Sequence, residues 1–225
     1  MGQVTRDSRF GKALTAHAAR SDINKILDIG TWNGQGTTEC LVYGAQFKYP
    51  NKDLSIVSVE ANKQYHEIAC KYYSKNKPPF LHLLHGTLSK EIMTPTEVEA
   101  HPLFDKVKAH YDLHYMSDIQ SMINSPEIDF ENAKVDMVVL DGGEFCGKAD
   151  FRCCIKLMPK IIALDDINVI KNRDNYNLLL KNKAEWVLVD SGEDRNGWAI
   201  FRRNHKSSLE EILKTYTEKY GDNSR

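Results

Sequence analysis

The chain alternates short apolar runs with amphipathic stretches along most of its length. Seven runs stand out: "KILDIG", "LSIVSVE", "FLHLLHG", "VDMVVLDG", "KIIALDD", "WVLVDSG" and "GWAIFRR". Most are apolar at consecutive rather than alternate positions, as in strands buried on both faces. Helical spacing fills most of the gaps. In "NKQYHEIACKYYSKNK", for example, Tyr65, Ile68, Ala69, Tyr72 and Tyr73 recur at three- and four-residue intervals. Strands alternating with helices predict an α/β, doubly wound, mostly parallel sheet with helices on both faces. The last two runs differ: only "EDRN" lies between Gly192 and Gly197, so they form a hairpin and one edge of the sheet is antiparallel.

The connections divide the chain further. Residues 1–22 read as an N-terminal helical segment. The longest connection, 89–134, carries Pro95 and Pro102 and then the helical stretch "FDKVKAHYDLHYMSDIQSMI", a length typical of a lid over a site. The stretch "SSLEEILKTYTEKY" has a capping box at Ser207 or Ser208 and predicts a surface helix over 207–225. With 225 residues, 41% of them hydrophobic, and no internal repeat or linker, 1–225 is expected to be a single domain.

Composition narrows the partners. A formal net charge of −1 gives no basic field for nucleic acid or an anionic membrane, and no apolar run reaches membrane-spanning length. The N-terminus lacks the apolar stretch of a secretory signal, and Arg6 stands where a myristoylation motif needs Ser or Thr. Five cysteines (Cys40, Cys70, Cys146, Cys153 and Cys154) make no CxxC pair, which fits reduced thiols in a cytoplasmic setting.

"KILDIGTWNGQGTTECL" is the segment richest in chemistry. A strand ends at Gly30, a glycine-bearing turn follows, and a helix opens near Gly36 with free N–H groups at its start. The spacing Gly30, Gly34, Gly36 is GxxxGxG. It is neither the GxGxxG of dinucleotide dehydrogenases nor a phosphate-binding GxxxxGK[ST]. Asp28 precedes the first glycine by two positions and suits an ammonium or sulfonium group better than a pyrophosphate. Glu60 ends the next strand, at the edge where such sheets bind ligands, and a carboxylate there takes ribose hydroxyls.

"ILDIGTWNGQGTT", "VSVEAN", "VVLDGGEF" and "IIALDD", in this order, resemble the class I S-adenosylmethionine-dependent methyltransferases over roughly residues 23–203. The resemblance implies a Rossmann-like seven-stranded sheet with an antiparallel seventh strand between the fifth and sixth. It also implies S-adenosylmethionine as cofactor. Asp28, Gly30, Thr31, Gly34, Gly36 and Thr37 would serve its methionine part, Glu60 and Ala61 the ribose, Thr87 and Leu88 the adenine, with Asp141 beside them. The acidic residue usual in the third loop is missing from "HGTLS".

Asp141, Asp165 and Asp166 end two adjacent strands. Three carboxylates so placed need raised pKa values or a cation, and hard oxygen ligands suit Mg²⁺, Mn²⁺ or Ca²⁺. The set is similar to the metal site of cation-dependent O-methyltransferases of the catechol and macrocin types. The second aspartate of the pair matches the macrocin, sugar-modifying type. The alternative is structural: Asp166 caps the next helix and Asp165 accepts backbone N–H groups. The catechol type carries a lysine base where Glu144 stands, and the macrocin type an aspartate where Gly143 stands, so Glu144 is the candidate base, with Asp141 its catalytic partner.

The implied activity is methyl transfer to a sugar or glycan hydroxyl. A catechol-like small-molecule methyltransferase and a non-catalytic cofactor-binding module are the alternatives, and homo-oligomers or a place in a larger glycan-modifying protein stay open. Secondary candidates are His110 and His114 at zinc-like spacing, Tyr111, Tyr115 and Met116 as stacking groups, His17 and His85, and Arg195 and Trp198 facing the acceptor.

Overall fold

Neighbouring residues of each central strand enter opposite cores, which is why the strands read as continuous apolar runs. Ile26, Val139, Ala163 and Ile200 pack with Phe10, Leu14, Leu41 and Trp198 on one face of the sheet. Leu27, Val138, Ile162 and Phe201 pack with Phe151, Cys154, Leu179 and Trp186 on the other. The computed structural model describes residues 4–204; the helix expected over 207–225 lies outside the described residues.

Helix α1 (Arg9–Ala18) leads into β1 (Lys25–Ile29), α2 (Thr37–Ala45), β2 (Ser55–Glu60), α3 (Lys63–Tyr73) and β3 (Leu81–His85). Three helices follow, α4 (Pro95–Glu99), α5 (Phe104–Val107) and α6 (Tyr111–Asn124). The chain then runs through β4 (Met137–Leu140), α7 (Gly147–Ile155), β5 (Ile161–Asp165), α8 (Ile170–Lys181), β6 (Trp186–Gly192) and β7 (Trp198–Arg203). The seven strands are ordered β3-β2-β1-β4-β5-β7-β6. β7 pairs antiparallel with both β5 and β6, and the other pairings are parallel. The hairpin and the inserted seventh strand are therefore as expected. Strand order reverses between β1 and β4, which opens a crevice at their carboxyl ends.

Local chemistry explains several element boundaries. Ser8 caps α1 by accepting from the Gly11 N–H at 3.1 Å, and Phe10 stacks on Trp198 at 5.1 Å. The 89–134 connection builds a small core of its own: Val98 and Val107 pack with Phe145, Val169 and Ile170, flanked by Phe104, Tyr111 and Tyr115. Its helical stretch is broken by a 3₁₀ turn at Lys108–His110 rather than continuous. In α3 only Ala69 and Tyr73 are buried; Tyr65, Ile68 and Tyr72 face solvent, so the apolar face is narrower than the spacing implied. Among the described residues no helix is long and apolar enough to cross a membrane.

One buried amide ties the sheet to α8. Asn172 Nδ2 donates to Leu140 O at 3.1 Å and to Asp165 O at 2.8 Å, bridging the last residues of β4 and β5, while its oxygen accepts from Asn175 at 2.9 Å. Asn172→Leu strands both carbonyls without a donor. We expect it to cost about 2–4 kcal/mol, read as a lowered urea midpoint with an unchanged slope.

Candidate active site

The glycine turn is set by backbone contact. Gly30 has φ 99°, and a Cβ there would stand 2.1 Å from the carbonyl oxygen of Asp141, so only glycine lets the β1 turn touch the end of β4. Two residues on, the Trp32 N–H donates to Glu60 Oε2 at 2.7 Å, and the Asn62 N–H donates to Oε1 at 2.8 Å. Each Glu60 oxygen keeps a lone pair for the adjoining cavity of about 340 Å³. Burial pushes the Glu60 carboxyl up while the two N–H groups pull it down.

Gly30, Glu60, Ala61, Thr87 and Asp141 line this cavity together. The other members of the expected cofactor set support it from behind. Asp28 is fully buried: its Oδ2 accepts from Thr38 at 2.6 Å and Ser58 at 2.8 Å, and burial pushes its carboxyl up to about 6. Thr31 bonds Ser58 at 2.6 Å, Thr37 is buried, and Gly34 packs against Tyr73 and Ala69, accepting the Tyr73 hydroxyl at 2.9 Å. Gly36, with φ 86°, opens α2. Leu88 turns into the second core and borders a separate groove with Phe130 and Cys153.

Two further carboxylates line the cavity from elements without a motif. Asp118, on α6, accepts the Phe145 N–H at 3.0 Å. Asp150, on α7, is buried with no hydrogen bond to its side chain among the described residues, and burial, with Asp118 adding, pushes its carboxyl up to about 7. A carboxyl raised in this way favours the fold while protonated, so its contribution is full below about pH 4 and is lost as pH rises through about 7. Asp150→Asn should therefore gain stability over the ligand-free wild type progressively across that window in urea unfolding. A difference constant with pH contradicts the assignment.

At the neighbouring strand ends the three aspartates do converge, with one oxygen of each within 4.8 Å of the others. They are not left to repel. Lys171, in the first turn of α8, places Nζ 3.0 Å from Asp141 Oδ1 and 2.7 Å from Asp166 Oδ2. Arg195 grips Asp165 with two N–H groups, at 3.2 and 2.8 Å, and lies 3.9 Å from Asp166. Burial works to raise Asp166, but Lys171 and Asn196 hold it below its ordinary value, and the surrounding carboxylates hold Lys171 well above its own. Asp166 does not cap α8, whose N-cap is Val169.

This donor set does not fit an added Mg²⁺, Mn²⁺ or Ca²⁺ ion. Asp141 Oδ1, Asp166 Oδ2 and both oxygens of Asp165 are already bound by an ammonium and a guanidinium, which would have to be displaced, and of the triad's oxygens only Asp166 Oδ1 is buried without a hydrogen bond.

The backbone records the same demand. Among the described residues four non-glycine positions have positive φ; two of them, Asp166 (57°) and Arg195 (61°), stand at this cluster, and a third, Trp32 (48°), presents its N–H to Glu60. Glu144 lies beside it: its Oε1 accepts the Lys171 N–H at 3.3 Å, and burial, opposed by Lys171 and reinforced by Asp166, pushes its carboxyl up to about 7.

Of the secondary candidates, Arg195 stands at the site and lines the cavity, and those that follow fall elsewhere. Tyr111 and Tyr115 pack on Phe145 in the lid's own core, and Trp198 is buried against Phe10. The His110 and His114 rings are 5.8 Å apart, but among the described residues the three aspartates are the one grouping with enough candidate ligands for a metal. His17 has Arg20, Asp22 and Asp190 as its charged neighbours, and His85 Nε2 is 3.2 Å from Ala61 O; neither lines the cavity. Lys171 and Asn172 were legible only as part of "DDINVIKN", in the first turn of the helix that follows the aspartates. Arg195→Ala leaves Asp165 buried without its partner. We expect a loss of about 3–5 kcal/mol in urea unfolding, partly recovered by adding Asp165→Asn.

This sheet order, with its crevice between β1 and β4, is the fold of the class I S-adenosylmethionine-dependent methyltransferases. Solved structures that share it include a caffeoyl-CoA O-methyltransferase assignment from Staphylococcus aureus (TM-score 0.54, 14% identity, 88% of this chain and 84% of that one). An SAH-bound methyltransferase of Podospora anserina (0.52, 13%, 88% and 80%) and a methyltransferase from Geobacter sulfurreducens (0.51, 12%, 88% and 80%) also share it. No protein-family model matches the chain, and no curated protein matches it in sequence.

Proposed function

We propose that the chain is an S-adenosylmethionine-dependent O-methyltransferase that methylates a hydroxyl of a sugar or glycan. The observation that carries the cofactor is Glu60: a buried carboxylate fixed by two backbone N–H groups, with one lone pair per oxygen left for a vicinal diol. Around it, Gly30 gives close access to the main chain, and Asp118 and Asp150 offer acceptors to the N–H edge of a base. When bound, S-adenosylmethionine supplies a methyl group activated by its sulfonium charge. The acidic lining suits that cation.

The acceptor side is polar. Glu144, Lys171 and Arg195 surround the strand ends, while Tyr111, Tyr115 and Phe145 are committed to the lid core, and the rings that line the cavity, Trp32 and Tyr65, stand on the Glu60 side. This favours a hydroxyl-rich acceptor over a catechol-like one. Glu144, with its carboxyl raised to about 7, is the base that takes the hydroxyl proton. A divalent ion forms no part of this reading, and nucleic acid and membrane are not proposed as partners. The uncompartmented, reduced-thiol setting read from the cysteines supports work in the cytoplasm.

Glu60→Gln keeps one acceptor but loses the charge. We expect S-adenosylmethionine affinity in calorimetry to fall by about 10- to 100-fold. The melting temperature should drop by a few degrees, because the amide NH2 faces one of the two N–H groups that Glu60 accepts from. Transfer of labelled methyl to a panel of free sugars, glycans and catechols tests the acceptor class. Unaltered cofactor affinity in the variant, or labelling confined to catechols, contradicts the corresponding half of the reading.

A further inference from the structure

The carboxylate cluster carries two cations of its own, each held in place by other parts of the fold. Lys171 Nζ bridges Asp141 on one strand end and Asp166 on the next, at 3.0 and 2.7 Å. Arg195 takes both oxygens of Asp165. We propose that Lys171 is the resident cation of this site and that the chain works without a divalent metal. The second half of the proposal rests on the methyltransferase reading above.

The placement of Lys171 is dictated from both sides. It sits next to Asn172, whose amide is bonded to Leu140 O and Asp165 O, so the start of α8 cannot shift without breaking the bridge between β4 and β5. Its backbone N–H is engaged by Glu144. Arg195 is turned towards Asp165 by left-handed backbone at the tip of the β6–β7 hairpin, where a non-glycine residue is disfavoured unless its side chain is needed. Three carboxylates set against an ammonium and a guanidinium leave at most one net negative charge in place of three, which removes most of the pull on a second cation.

The transfer step balances without a metal. The acceptor O–H gives its proton to Glu144, the new O–C bond forms as the C–S bond breaks, and the sulfur keeps the electron pair and becomes a neutral thioether. Lys171 is here a positioning residue: it fixes Asp141 and Asp166 beside the reacting groups.

Mn²⁺ titration followed by the free-ion electron paramagnetic resonance signal tests this independently of activity. Wild type and Lys171→Arg should leave the free Mn²⁺ signal unreduced. Lys171→Met, which deletes the ammonium, should tighten Mn²⁺ binding by about tenfold or more. Methyl transfer by wild type should stay within about twofold in chelator, whereas a metal-assisted reaction would lose roughly 100-fold or more. Saturable Mn²⁺ binding by wild type that Asp165→Asn abolishes, or chelator inhibition reversed by Mg²⁺, overturns the proposal even if Lys171→Met does not fold. Calorimetry with S-adenosylmethionine's by-product, S-adenosylhomocysteine, on the same preparation separates the two readings. Absent cofactor binding sinks the methyltransferase function and leaves the Mn²⁺ titration to judge Lys171.

Discussion

Three carboxylates at the ends of two neighbouring strands are tolerable only if something positive lies between them, and the carboxyl edge of this sheet is organised around that requirement. Asp165 and Asp166 are buried and Asp141 nearly so, where an uncompensated charge costs several kcal/mol. Lys171 and Arg195 meet the requirement from opposite sides, one from the first turn of α8 and one from the β6–β7 hairpin. The antiparallel seventh strand thereby acquires a role beyond closing the sheet edge: its hairpin brings a guanidinium back over β5.

The same edge separates two chemistries over a short distance. On the β1–β2 side, Glu60 is fixed by backbone N–H groups and faces a cavity with Asp118 and Asp150. On the β4–β5 side, every carboxylate of the triad is answered by a basic side chain. Asp141 belongs to both, since it lines the cavity and bonds Lys171. The first side has unfilled acceptors suited to a cationic, hydroxyl-bearing ligand; the second is already largely compensated from within.

Local sequence was sufficient wherever a residue's role depends on its own backbone. Gly30 had to be a glycine because the turn runs against Asp141, and the glycine spacing in "DIGTWNGQG" carries that information in one segment. Glu60 likewise stands at a strand end whose position follows from the apolar run before it. Asp28, Thr31 and Thr37 share the same segment, but their side chains point beneath the turn into the Ser58 and Thr38 network. Which face a side chain takes depends on the strand packed next to it, and that neighbour is about thirty residues away in the case of Ser58.

The seven strands, the terminal hairpin and the convergence of Asp141, Asp165 and Asp166 were determined by the sequence itself, because apolar runs of strand length between helical stretches admit few sheet orders. The answer to the aspartates was decided only by the tertiary structure. Lys171 and Arg195 lie on different elements, 24 residues apart in the chain, and nothing in the spacing of either says that it will meet a carboxylate. Asp118 and Asp150 are the same case: each is an unremarkable acid on a helix until packing of that helix over the crevice takes it out of water. Compensation of buried charge is a property of contacts between distant segments. A local pattern can announce the need for a cation, but the fold determines whether a side chain supplies it.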